Sequence, residues 1–205
     1  MVKAIWSEPH PARARWHSGW LQGVHHCPSP HHDDRPAESK VNLLVIHGIS
    51  LPAGSFDGDA VLQLFAGTLD LRQHASFASL QGLRVSAHFF VRRDGRIWQC
   101  VSTQARAWHA GASAFLGRER CNDFSIGIEV EGCDDLPYTL LQYRATAWLC
   151  RVLTRQHPIA QVVGHMHIAP GRKTDPGPTF EWHTLRALSR LPRRYFAIAQ
   201  PHHHT

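Results

Sequence analysis

No run of about 18 consecutive apolar residues occurs in the chain, so nothing in it reads as a membrane span. The opening MVKAIWSEPHPARARWHSGW lacks the apolar core of a secretory signal, and the compartment expected is the cytoplasm. Cysteine is sparse and odd in number: five residues, Cys27, Cys100, Cys121, Cys133 and Cys150, with no CxxC pair. That argues against a disulfide framework and a thiolate zinc cluster. Cys100 and Cys150 lie in apolar runs and read as small buried hydrophobes. Lysine is nearly missing, with three lysines against nineteen arginines among the 22 basic residues. The net charge of +6 suits an anionic partner. The basic residues are scattered, however, and form no basic helix, RNP-like motif or basic-aromatic groove, which argues against nucleic acid. No internal repeat is visible.

What is present is a chain of 205 residues with 43% apolar content, enough for one globular domain with a real core. Its seventeen histidines are many for this length. The doublets His25-His26 and His31-His32 and the run His202 to His204 read as exposed termini or a metal-sticky tract. Residues 1–40 are rich in Pro, His and Arg and are expected to form an irregular arm. VNLLVIH (41–47) is a near-continuous apolar run, as in a strand buried on both faces. FDGDAVLQLFAGTL (56–69) carries a helical apolar stripe behind Asp57 or Asp59 as N-cap. RVSAHFFV (84–91) and RIWQCV (96–101) flank Asp94-Gly95, a dipeptide suited to a type I′ hairpin turn. FSIGIEVEG (124–132) reads as a strand with alternating residues. In 138–158, Leu140, Leu141, Ala145, Trp148, Leu149 and Val152 recur at helical spacing up to Pro158. QVVGH (161–165) is a short strand and FEWHTLRALSRL (180–191) a final helix. This order predicts an α/β fold: a single domain with a central mixed sheet flanked by helices.

Candidate chemistry gathers near strand ends. GHMHIAPGRKTDPGP (164–178) holds His165, His167, Lys173 and Asp175 among prolines and glycines that forbid a long helix, so it reads as a shaped loop. A catalytic zinc needs three protein ligands and one open position. His47, at the end of its strand, with His165 and Asp175 makes a possible His2Asp set, since ligands bind at strand ends in open α/β sheets. His167 can stand in for His165, and Asp175 before Pro176 can equally be a turn former. Glu129 and Glu131, two apart on a strand, face one side. A desolvated glutamate there would suit a general base. Lys173 offers an ammonium to a developing oxyanion. Spacing leaves both the ligand set and the choice between the glutamates open.

The motifs GWLQGVHHCPSPHHDDRP, LLVIHGISLPAGSF, LRVSAHFFVRRDG, AWHAG, GRERCNDFSIGIEVEG and GHMHIAPGRKTDPGP run in order from about residue 19 to 182. In that order they closely resemble the cytoplasmic 1,6-anhydro-N-acetylmuramyl-L-alanine amidases, part of the zinc amidase superfamily that also contains peptidoglycan recognition proteins. The resemblance implies an extension over 1–18, an amidase domain over 19–191 and a tail over 192–205. It implies zinc (Zn2+) held by His47, His165 and Asp175, with Glu129 as base and Lys173 as oxyanion stabiliser. It implies a muropeptide substrate, cut between the lactyl group of (1,6-anhydro-)N-acetylmuramic acid and L-alanine during peptidoglycan recycling. Arg84 and Arg120 become candidate clamps for stem carboxylates, Trp108 a sugar-stacking surface, and His109 a neighbour of the zinc. A surface salt bridge is the plain alternative for Arg120, and core packing for Trp108.

The chain departs from this family in places. Close relatives often carry Asn directly after the first histidine ligand, where Gly48 stands here, and Asp33-Asp34 differs from the usual wording. Two rival readings keep the fold: an amidase acting on polymeric cell wall, and a catalytically silent peptidoglycan-binding module. Filled ligand positions argue against the second rival, and the lack of a visible signal argues against the first.

Overall fold

The computed structural model describes residues 13–199. Residues 1–12 of the expected extension and 200–205 of the expected tail therefore lie outside the described residues. Six strands form the main sheet: β1 (His25–His26), β2 (Leu43–Ile49), β3 (Phe89–Val91), β4 (Ile97–Gln99), β5 (Ser125–Glu131) and β6 (Gln161–Gly164). Their spatial order is β6-β2-β5-β3-β4-β1. Only the β3–β4 pair is antiparallel, so the sheet is mixed, as expected. The helices are α1 (Ala60–Ala66), α2 (Leu140–Gln156), the single turn α3 (His165–Ile168) and α4 (Trp182–Ser189).

The two faces of β2 and β5 bury different things, because successive side chains point to opposite faces. Leu44 and Ile46 of β2, with Ile126, Ile128 and Val130 of β5, pack in one cluster with Trp148, Leu149 and Val152 of α2 and Leu185 of α4. Leu43 and Val45 face the other way, against Ala110, Cys121, Phe124 and Ile168. His47 and Glu129 continue this second row. β5 is buried along its whole length, so the expected alternation is not a solvent-facing pattern but two different buried faces. Phe196, beyond the expected domain boundary at 191, is fully buried in the α2-side cluster.

Several local expectations change. Asp94-Gly95 does not make a type I′ turn, which needs positive φ at both central residues. Only Gly95 has it (φ 81°), and Arg92 N–H donates to Arg96 O at 3.0 Å, giving a three-residue loop with Gly in the left-handed position. Asp59 precedes α1, yet its side chain makes no capping hydrogen bond; it instead pairs with Arg92. Leu140 opens α2 but is 53% exposed. The His25-His26 doublet is exposed, as expected, and forms the edge strand β1, bonded to β4. His32–Asp34 forms a ribbon with Ala105–Ala107. The arm is thus strapped to the domain.

Helix α2 begins at a reciprocal cap. Thr139 Oγ1 accepts from Gln142 N–H at 3.1 Å, and Gln142 Oε1 accepts from Thr139 N–H at 3.0 Å. Gln142 Nε2 also donates to Glu131 O at 2.7 Å, which fastens the helix start to the end of β5. Thr139→Ala is expected to lower stability by about 1 kcal/mol. Urea unfolding should show a lower midpoint with an unchanged slope.

Candidate metal centre and catalytic cleft

The parallel register of β2 and β5 pairs His47 with Glu129. The register of β6 pairs Gly164 with Ile46, so His165 follows alongside His47. The chain then makes the single turn α3 and loops back, and Met166 N–H donates to Asp175 O at 3.0 Å. As a result, one ligand atom each from His47, His165 and Asp175 lies within 4.8 Å of the others. His47 Nδ1 is 3.0 Å from His165 Nδ1 and 3.1 Å from Asp175 Oδ2, and His165 Nδ1 is 3.2 Å from that same oxygen.

Burial shapes the charge states. It drives the His47 imidazole down to about 4, so the ring is neutral at neutral pH. It raises the Glu129 carboxyl well above the usual glutamate range, with Asp175 adding to the rise and Lys173 opposing it. Glu129 Oε1 is 3.9 Å from His47 Nδ1, and its buried Oε2 has no hydrogen-bond partner among the described residues. Glu131 shares the face but is spent elsewhere, accepting from Arg93 N–H at 2.9 Å. Lys173 is exposed on the 164–178 loop, its N–H held by Ala169 O at 3.1 Å. His167 turns away from the cluster: its Nδ1 accepts from Gly164 N–H at 2.8 Å and its ring meets Trp182 edge-on.

The candidate substrate contacts divide. Trp108 is half-buried, donates Nε1–H to Asp33 Oδ1 at 3.0 Å and stacks on His31. His109 is buried against His47, with Nε2 of His47 2.9 Å from Nδ1 of His109. Both of its ring nitrogens are engaged by protein groups, which suits a supporting place more than a substrate contact. Arg120 is 70% exposed on its side chain and pairs with Asp123 at 3.3 Å, the plain alternative for it. Arg84 is exposed. Among the described residues, no hydrogen bond or ion pair joins either arginine to the histidine–aspartate cluster.

The profile of the family described as N-acetylmuramoyl-L-alanine amidase matches residues 37–178, which hold all three members of this cluster. The chain belongs to that amidase family. It is 54% identical over 172 residues to the 1,6-anhydro-N-acetylmuramyl-L-alanine amidase AmpD of Escherichia coli (strain K12), covering 83% of this chain and 94% of that one. Among solved structures, a selenomethionine derivative of AmpD matches with a TM-score of 0.82 at 53% identity, over 84% of this chain and 97% of that one. A second amidase, AmiD from E. coli, was solved with anhydro-N-acetylmuramic acid-L-Ala-D-gamma-Glu-L-Lys. It matches with a TM-score of 0.53 at 30% identity, over 85% of this chain and 65% of that one.

Three residues that shape the candidate site carried no signal in sequence. Asn122 Oδ1 accepts from the N–H groups of His109 and Ala110 at 3.1 and 2.8 Å and so fixes the AWHAG segment. Ser125, fully buried at the start of β5, lies 3.1 Å from His109 Nε2. Tyr138 donates its hydroxyl to Pro176 O at 2.7 Å, next to Asp175. Gly48 is what leaves room for it, since a Cβ there would lie 2.4 Å from Tyr138 Oη. Removing the hydroxyl in Tyr138→Phe is expected to cost about 1 kcal/mol. Gly48→Ala should destabilise wild type by more than it destabilises Tyr138→Phe, because the oxygen it strikes is then gone. A double-mutant cycle in urea checks this, and strictly additive effects would refute it.

Proposed function

We propose that the chain is a zinc amidase that hydrolyses the amide between the lactyl group of 1,6-anhydro-N-acetylmuramic acid and L-alanine of muropeptides, in cytoplasmic peptidoglycan recycling. The observation that carries this reading is the convergence of three electron-pair donors beside a buried glutamate. Tetrahedral bonds of ~2.0 Å set ligand atoms roughly 3.3 Å apart, close to the separations of 3.0, 3.1 and 3.2 Å found here. His165 Nε2 faces the carbonyl of Ala110 at 3.1 Å and must donate to it, so a neutral His165 directs a lone pair from Nδ1 into the cluster. A carboxylate and two imidazole lone pairs facing one point repel one another unless a cation joins them. Two nitrogens and one oxygen are a donor set that zinc accepts. The names of the relatives and the muropeptide held by AmiD supply the substrate class.

His47, His165 and Asp175 would hold the ion. When bound, zinc supplies a Lewis acid for the lactyl carbonyl and lowers the pKa of the attacking water. Glu129 takes the proton of that water, and its raised pKa makes it basic enough for the task. The same carboxyl then delivers the proton to the alanine nitrogen as the C–N bond breaks. The Lys173 ammonium stands near enough to act on Glu129 electrostatically and balances negative charge growing on the carbonyl oxygen. Trp108, held by Asp33, offers a flat face for the sugar. Arg84 and Arg120 are carried as carboxylate clamps by the family resemblance alone.

Purified protein should release the peptide from anhydro-N-acetylmuramyl tripeptide. Chelation should stop the release and added zinc restore it, and soluble muropeptide should be favoured over intact sacculi. Glu129→Ala should lower kcat by about 10²-fold or more while one zinc per chain remains. Near-normal turnover in that variant would remove Glu129 from the mechanism. Because the base form of Glu129 is the active one and its pKa is raised, kcat/KM should fall as pH drops. The acid limb should lie above the ordinary glutamate value of about 4.3.

A further inference from the structure

Behind the candidate metal centre runs a line of hydrogen bonds that the reaction does not use. Ser125 Oγ lies 2.6 Å from Cys121 O. A carbonyl cannot donate, so the serine gives its only proton to that oxygen. Ser125 Oγ is also 3.1 Å from His109 Nε2 and, with its proton spent, can only accept there. Nε2 of His109 therefore carries a hydrogen. His109 is buried, its two ring nitrogens meet the Ser125 hydroxyl and the His47 ring, and among the described residues no carboxylate pairs with it to offset a charge, so the ring is neutral and Nδ1 is bare. That bare nitrogen sits 2.9 Å from His47 Nε2, which must then be the donor. His47 is left with its lone pair on Nδ1, the atom that faces His165 and Asp175.

Local geometry keeps His109 in place. Its ring packs against Gly127 of β5, where an added Cβ would come 2.5 Å from the ring. Its backbone N–H is held by Asn122 Oδ1. Ser125 and Glu129 stand on the same face of β5 on either side of Gly127, so one strand supplies the acceptor, the gap for the ring and the general base.

We propose that His109 is a positioning residue: oriented by Ser125 and seated on Gly127, it fixes His47 in the tautomer whose Nδ1 can bind metal. The idea rests on the zinc reading above for its consequence, but the proton's place on His47 can be read separately. The reverse proton order would place a hydrogen on His47 Nδ1, pointed at His165 Nδ1 and Asp175 Oδ2, and would close that nitrogen to a metal.

The test uses the zinc-loaded full chain with 15N-labelled histidine, together with chelator competition for zinc. Wild type should show a proton on Nε2 of His47 and a nitrogen–nitrogen coupling across the bond to His109 Nδ1. His109→Leu removes the acceptor and should weaken zinc binding by about 10- to 100-fold, as loss of an outer partner of a metal-bound histidine does. His109→Asn puts Oδ1 in the place of Nδ1 and should stay near wild type. Ser125→Ala, remote from the metal, should weaken binding in the same direction by a smaller factor. Equal loss in the Leu and Asn variants would reduce His109 to packing and overturn the proposal. A proton found on His109 Nδ1, or unchanged zinc affinity in His109→Leu, would do the same. A wild-type chain that binds no zinc would sink the metal reading instead, while the coupling would still decide which ring donates.

Discussion

The parallel ladder between β2 and β5 is the constraint on which the site depends. Its seven register pairs set His47 beside Glu129, and the neighbouring ladder to β6 brings His165 to the same edge. A slip of one residue in β2 would turn its side chains to the opposite face. His47 would then point into the cluster around Trp148 and Leu149, across the sheet from Glu129. The apolar pattern that packs α2 against the sheet is therefore the same pattern that places the candidate site. Burying Leu44 and Ile46 on one side commits His47 to the other.

That second face is covered not by a helix of the α2 kind but by the irregular segment through Ala110, Cys121 and Phe124 and by the turn at Ile168. Such a cover suits a reaction site. It supplies carbonyl and side-chain oxygens at chosen places: Ala110 O for His165, Cys121 O for Ser125, Asn122 Oδ1 for the backbone of His109. The loop after α3 returns Asp175 to the cluster while Tyr138 grips the carbonyl of Pro176 behind it. Gly48 and Gly127 are small for a related reason, each leaving space for a ring or hydroxyl that must approach the strand closely.

Much of this was readable from residue order. The apolar run at 41–47, the long helical stripe after residue 138 and the Pro/Gly-rich segment at 164–178 located three of the main elements, because burial on two faces, a helical stripe and helix breakers leave strong local signatures. The His-His-Asp grouping was one option among several on spacing, and family resemblance chose it; the register then brought those atoms together. Less readable were the places where tertiary context outweighs local preference. Asp59 stands at the N-cap position of α1, as expected, but its side chain is taken by Arg92. Asp94-Gly95 looked like a two-residue turn and became a three-residue loop. The histidine doublet at 25–26 carried no strand signal and forms a sheet edge, since a two-residue strand has no periodicity to detect.

Residue order alone specifies a mixed α/β domain, the strand ends at which histidines and a carboxylate occur, and membership in a family of amidases. Each of these is written in local pattern or in the order of motifs. Only the packed chain shows that His167 serves Gly164 rather than the cluster, that Glu131 is tied to Arg93 while Glu129 faces the His–His–Asp cluster, and that His109 stands between Ser125 and His47. These are relations between residues as far apart in the chain as His47 and Glu129. They depend on which atom of a ring or carboxyl meets which neighbour, and spacing along one strand carries no information about that.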